Sequence, residues 1–248
     1  MKILAMRPLA DRALTVDLAD RAGAAAAARV AGAEALLTAA AAVGQLPGVV
    51  EIASSFTSLT VHYDCHQTSQ STLGAAIEAL IEGAAEAAPA AAGRTWLLPC
   101  AYSPDRGLDL ADLSAQFGMG RDDLVTRHAA TDYQVYALGF LPGLPFLGDL
   151  PAELALPRRA SPRTRVPAGS VAIANRMCVI YPWDSPGGWH IVGRCPVPLF
   201  DPRRARPALL SVGDRIRFRP VSEDEADAIA RSFADGRAAP EAFVQGPA

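Results

Sequence analysis

The sequence predicts an α+β protein in two parts, a two-layer sandwich followed by a closed or partly closed β-barrel. Three observations lead there. Strand-like and helix-like runs follow one another as ββαββα over the first part of the chain. A low-complexity Ala/Glu/Pro stretch comes next, at 84–93. Beyond residue 139, Gly and Pro become too frequent for long helices.

Each element has its own signal. Residues 3–9 and 13–18 are short apolar or alternating runs around a turn at Ala10–Asp11, as paired strands require. Residues 21–43 are rich in Ala and Leu with few breakers, which favours helix. Leu46, Pro47 and Gly48 stop it. Residues 49–53 and 58–63 read as a hairpin, and 72–88 as a helix with Leu73, Ile77, Leu80 and Ile81 along one face. That order is ferredoxin-like in outline. We therefore expect domains at 1–88 and 94–248, joined through 84–93. In the second domain, 96–101 is strand-like, and 108–117 and 121–130 are helical. Asp122 and Asp123 stand in the first turn of the latter helix, where they favour its dipole. The 64 residues 139–202 hold 18 of the chain's 40 Gly and Pro residues. Apolar runs at 170–174 and 178–181 lie between those turns and a strand follows at 215–221, which is the pattern of a barrel with long loops. A helix at 223–233 comes last.

Composition excludes several function classes. A net charge of −3 argues against a surface built for nucleic acid. Arg7, Asp11 and Arg12 break the first apolar stretch, so no signal peptide is expected. Arg29 and Glu34 lie inside 22–43, so no membrane span is expected either, and the expected location is cytoplasmic. Lys2 is the sole lysine, which removes a P-loop, a catalytic lysine and a biotin-attachment lysine from this chain. Cys65, Cys100, Cys178 and Cys195 form no CxxC pair and read as reduced thiols. His62, Cys65 and His66 have helical ligand spacing but fall on a strand-like run, so no metal site is expected.

Three blocks carry the candidate chemistry, at 136–151, 157–174 and 181–202. Six arginines within 139–202 and three more just beyond, against four acids, point to an anionic ligand, because guanidinium forks match carboxylate and phosphate oxygens. Arg158, Arg163 and Arg165 are the chosen anion binders. Arg163 and Arg165, two apart, would share one face of an extended segment. We expect Arg163→Ala to spare stability. Ser185-Pro186-Gly187-Gly188-Trp189-His190 sets two glycine amides, able to hold a developing oxyanion, beside a titratable imidazole. Gly187, Gly188, Ser185 and Ser170 join the binding set, and His190 is the candidate acid or base. Residues 139–148 read as a rigid apolar loop, either a pocket wall or a contact between subunits.

These blocks resemble the signature of the KipI family, also called allophanate hydrolase subunit 1 or the B component of 5-oxoprolinase. The family runs are GFxPGxxYLGxLP, PRxxxPRxxVPAGSVAIA and YPxxSPGGWxxIGRTPxxLFDP. The likeness extends upstream through Tyr133 and His128 to 55–64. Phe146, Cys195, Asn175 and Arg176 depart from the pattern. The resemblance implies an N-terminal α/β domain and a cyclophilin-like C-terminal barrel, and it adds His128 as a second candidate catalytic residue. It further implies ATP-dependent opening of 5-oxoproline to glutamate, with ATP and Mg bound in an assembled complex. The partners it implies are a KipA-type protein, the C component of that complex, and a LamB-type protein, its A component. Inhibition of a sensor histidine kinase, or half of a urea carboxylase-like carboxyltransferase, are the alternatives.

Overall fold

The computed structural model describes residues 1–84 and 93–245. Most of the expected 84–93 connection, and the end of the helix expected at 72–88, lie outside the described residues. Backbone proximity divides the chain into two compact units, Met1–Ala92 and Gly93–Ala248.

The first unit contains β1 (Ala5–Leu9), β2 (Ala13–Asp17), α1 (Ala24–Ala42), β3 (Val49–Ser54), β4 (Ser58–Tyr63) and α2 (Gln70–Gly83). Its antiparallel sheet has the order β1-β2-β4-β3, so β2–α1–β3 is a split β-α-β unit with β4 between its strands. Compared with the ferredoxin-like order β-α-β-β-α-β, the edge strand beside β2 comes first in the chain instead of last. Alternation turns Leu14, Val16, Leu59 and Val61 inward, where they meet Val30 and Leu37 of α1 and Leu73, Ile77 and Ile81 of α2. Helix α1 is long and apolar enough to cross a membrane by length and composition. Its Val30, Ala33 and Leu37 stripe is nevertheless buried in this core. Ser69 caps α2, its Oγ accepting from the Thr72 amide at 3.1 Å.

The second unit contains β5 (Thr95–Ala101), α3 (Leu110–Phe117), α4 (Arg121–Ala130), β6 (Tyr133–Leu138), β7 (Pro145–Gly148), β8 (Arg163–Val166), β9 (Ser170–Ala174), β10 (Met177–Ile180), β11 (Ser185–Gly187), β12 (His190–Arg194), β13 (Arg215–Val221), α5 (Glu223–Ala234) and β14 (Val244–Gln245). Seven strands, in the order β12-β9-β10-β7-β6-β13-β5, close into a mixed barrel where Arg194 pairs with Ala101. Only β13 and β5 run parallel within it. Strand β14 extends β5, and β8 pairs with β11 as a separate two-stranded ribbon. Inward residues such as Leu98, Val135, Leu147, Ile173, Ile180 and Phe218 fill the barrel.

One expectation needs correction here. The run 139–148 is not a loop throughout, since Pro145–Gly148 forms β7, bonded on both sides to β6 and β10. Its proline stands at the first strand position, where a missing N–H is tolerated. All four cysteines are free thiols.

Candidate functional site

The ribbon of β8 and β11 brings the second and third sequence blocks together. Val166 pairs with Ser185 and Arg163 with Gly187. The segment ahead of β8 is bonded to the same stretch, with the Arg159 amide donating to the Gly188 carbonyl at 2.8 Å. His190 Nε2 lies 3.0 Å from the Pro157 carbonyl. A carbonyl only accepts, so Nε2 donates this hydrogen bond. His190 thereby holds the segment that carries Arg158.

A residue missed in the sequence fastens this assembly. Asp109, 3 % exposed, precedes α3 but does not cap it. Its carboxylate takes both Nη atoms of Arg163, at 2.9 and 2.7 Å, and Nη1 of Arg159 at 2.9 Å. It also accepts from the Ile191 amide at 2.6 Å. Four donors on one buried carboxylate pin the ribbon and the start of β12 to α3. In sequence, Asp109 looks like any acid at a helix start. Its partners lie 50 or more residues away, so no local signal could have marked it.

Both Nη atoms of Arg163 are thus engaged by Asp109, which argues against the expectation that its loss would spare stability. Its fork is filled by a buried carboxylate, which would lose two of its four donors without it. Arg165 leaves the same strand for a different acid, with Nε 2.7 Å from Asp184, whose other oxygen accepts from the Ala168 amide at 2.7 Å. That amide and Arg165 hold the Asp184 carboxyl below the usual carboxylate range.

Arg158 behaves differently. Among the described residues it makes no ion pair, and its guanidinium carbon lies 5.5 Å from the centre of the Trp189 ring, in cation–π range. It borders a cavity of about 140 Å³ together with Tyr181, Gly187, Gly188, Trp189 and Phe146. Burial pushes the Tyr181 phenol above its usual range, while the Arg158 charge acts against that push. The two glycines differ in their reasons. A Cβ on Gly187 would overlap the Tyr181 hydroxyl, whereas one on Gly188 would meet Pro162 at 3.6 Å, an ordinary contact. Of the binding residues expected from sequence, Arg158, Gly187 and Gly188 come together here. Ser185 lies on the ribbon, 8 % exposed, with Oγ 3.3 Å from the Pro186 carbonyl. Ser170 is 1 % exposed on β9, inside the barrel wall.

Residues 4–210 match the family described as carboxyltransferase domain, subdomain C and D.

The chain belongs to this family.

It is 35% identical over 188 residues to the B subunit of 5-oxoprolinase from Bacillus subtilis (strain 168), covering 72% of this chain and 78% of that protein. It is 45% identical over 126 residues to the B subunit of 5-oxoprolinase from Escherichia coli O157:H7, covering 51% of this chain and 58% of that one. Among solved structures, the crystal structure of TTHA0988 superposes with a TM-score of 0.73 at 32% identity, over 85% of this chain and 40% of that chain.

Two residues that drew attention through the resemblance to this family turn out to be structural. His128 is fully buried among Tyr133, Phe218 and Tyr102. Tyr102 Oη lies 2.9 Å from its Nδ1, and Cys178 Sγ 3.6 Å from its Nε2. Since the thiol also points to the Val179 carbonyl, a consistent network has Tyr102 donating to Nδ1 and Nε2 donating to sulfur. Burial lowers the pKa of His128 to about 3. An imidazole that solvent cannot reach and that stays neutral does not exchange protons with a substrate, so the candidate role for His128 is withdrawn. Asn175, a departure from the family pattern, occupies the β9–β10 turn at φ 54°, and its amide donates to the Leu156 carbonyl. Asparagine tolerates that left-handed conformation, which accounts for the departure locally.

Proposed function

We propose that the chain is the B subunit of an ATP-dependent 5-oxoprolinase and that the Arg158 cavity receives the substrate carboxylate. The observation that carries this reading is Arg158 itself. It is an arginine without an acidic partner among the described residues, held over Trp189 in a small apolar cavity. It sits in a chain whose curated relatives bear that enzyme's name. 5-Oxoproline offers one carboxylate on a small lactam ring. The guanidinium fork suits the carboxylate, and the Trp189 and Phe146 faces suit the ring. A cavity of about 140 Å³ is below the ~300 Å³ at which sites for drug-sized ligands begin. His190 contributes by holding Pro157 and so positioning Arg158.

In this reading the chain supplies binding and orientation, and the ATP-dependent step belongs to a complex with KipA-type and LamB-type partners. Two observations support that division. The single lysine leaves no P-loop. Among the described residues, the one cluster of three potential metal ligands is Asp64, Cys65 and His66, in the first unit, whereas the residues bordering the Arg158 cavity all belong to the second. In this reading ATP and its Mg are bound in the assembled complex.

The test is co-expression with the two partner proteins, followed by an assay of 5-oxoproline-dependent ATP hydrolysis. Arg158→Gln in that complex should raise KM for 5-oxoproline about tenfold or more, the loss of a charge-assisted pair of hydrogen bonds. Its melting temperature should stay as in the wild type. Full turnover by the purified single chain, or a wild-type KM in the Arg158→Gln complex, would overturn the reading.

A further inference from the structure

At the point where the barrel closes, Arg194 pairs through its backbone with Ala101 on one side and Ser170 on the other. Its side chain borders a cavity of about 320 Å³, larger than the Arg158 cavity and walled by Gly169, Pro182, Pro198, Ala230 and Arg106 among others. The state of this guanidinium is unusual. Among the described residues no hydrogen bond and no ion pair reaches it, yet its Nε is buried. Arg159 and Arg204 also have one buried nitrogen without a partner, but each uses another nitrogen, toward Asp109 and the Pro198 carbonyl respectively. Burial and then the nearby Arg106 charge lower the pKa of Arg194, while Asp184 and Glu223 act in the opposite sense without touching it.

The rest of the lining says what could satisfy it. Arg106 already has two acids, Glu223 at 2.8 Å and Asp227 at 2.7 Å, so these four charges sum to zero with Arg194 included, but Arg194 is the guanidinium here that no acid contacts among the described residues. Asp227 also faces the cavity and would repel a multiply charged ligand. Most of the remaining wall is proline, alanine, valine and leucine. Beside Arg194, the chain turns tightly at Gly169, with φ +79°. A Cβ there would overlap the Cys195 carbonyl, so the backbone is packed directly against the Arg194 stem and fixes its direction.

We propose that this cavity is a second binding site, for a small organic carboxylate that sets its anion on Arg194 and a short apolar body against the proline and alanine wall. It is separate from the Arg158 cavity and does not depend on the function proposed for that one. Tyr181 borders both cavities and so cannot tell them apart, but the amides of Gly169, Cys195, Ala226 and Ala230 report on this site alone, and those of Gly187, Gly188 and Trp189 on the other.

The experiment is an amide NMR titration of the full chain with isobutyrate and, separately, with inorganic phosphate. With isobutyrate the first group of amides should shift to saturation. Arg194→Gln should weaken that response about tenfold or more, the cost of losing charge-assisted hydrogen bonds. Arg158→Gln should leave it unchanged. Ala230→Phe, at an exposed α5 position that borders the cavity, should block it by filling the space while keeping the arginine, which covers the case in which Arg194→Gln does not fold. The assignment is overturned if these amides do not titrate, or titrate alike in wild type and the folded variants. Phosphate binding as tight as isobutyrate would overturn the monoanionic, apolar character given to the ligand.

Discussion

Arg158 and Arg159 are neighbours in the chain and opposite in circumstance. Arg159 shares Asp109 with Arg163, inside a carboxylate cluster that also holds the Ile191 amide. Arg158 turns the other way, over Trp189 and beside a cavity, with no acid in reach among the described residues. Arg194, at the barrel seam, repeats the second condition. Arginines that look alike in a basic segment thus divide into those consumed by the fold and those left for something else. What divides Arg158 from Arg159 is a buried carboxylate from a distant helix start, because a fully buried carboxylate is costly unless paired.

The comparison can be broken most directly at Asp109. Asp109→Ala leaves two partly buried guanidiniums and one buried amide without their acceptor. It should cost about 3–5 kcal/mol in a denaturant melt, and a wild-type midpoint would show that the cluster holds nothing. Arg163→Ala should cost less, about 1.5–3 kcal/mol, because Arg159 and the Ile191 amide still serve the carboxylate. A neutral result there would return Arg163 to the ligand-binding set.

The histidines sharpen the same contrast through pH. His128 has its folded pKa lowered to about 3, so the unfolded chain binds a proton that the folded chain refuses. Its neutral form is fully compatible with folding above the unfolded value near 6.5. As pH falls below that value, stability should drop by up to about 1.4 kcal/mol per pH unit until the folded pKa is reached. Melts between pH 7 and 4 of wild type and His128→Gln check this, and the variant should show the flatter acid limb. Parallel limbs would mean that His128 titrates in the native barrel. The smallest effects belong to the arginines outside the Asp109 cluster. Arg158→Gln and Arg165→Ala should leave the melting temperature nearly unchanged, since one has no acidic partner among the described residues and the other a solvent-screened one.

Much of the fold was legible in advance because its signals are local. Alternation in 58–63, the Leu73–Ile77–Ile81 stripe and the apolar run at 170–174 each mark an element whose burial follows from its own period. Strand β7 was not legible, because Pro145 and Gly148 read as loop residues until neighbours on both sides pair with them. At the candidate site, three of the residues singled out in sequence, Arg158, Gly187 and Gly188, border one cavity.

The order of elements, the concentration of cations in one Gly- and Pro-rich segment, and the family to which those motifs belong can all be read from the order of residues. Which cations are free, which histidine is sealed in the core, and that Asp109 governs both ribbon and barrel edge were decided only in three dimensions. The reason is physical. Secondary structure follows from periodicities a few residues long, whereas the charge state and availability of a side chain depend on burial and on partners that here lie 50, 54 and 82 residues away.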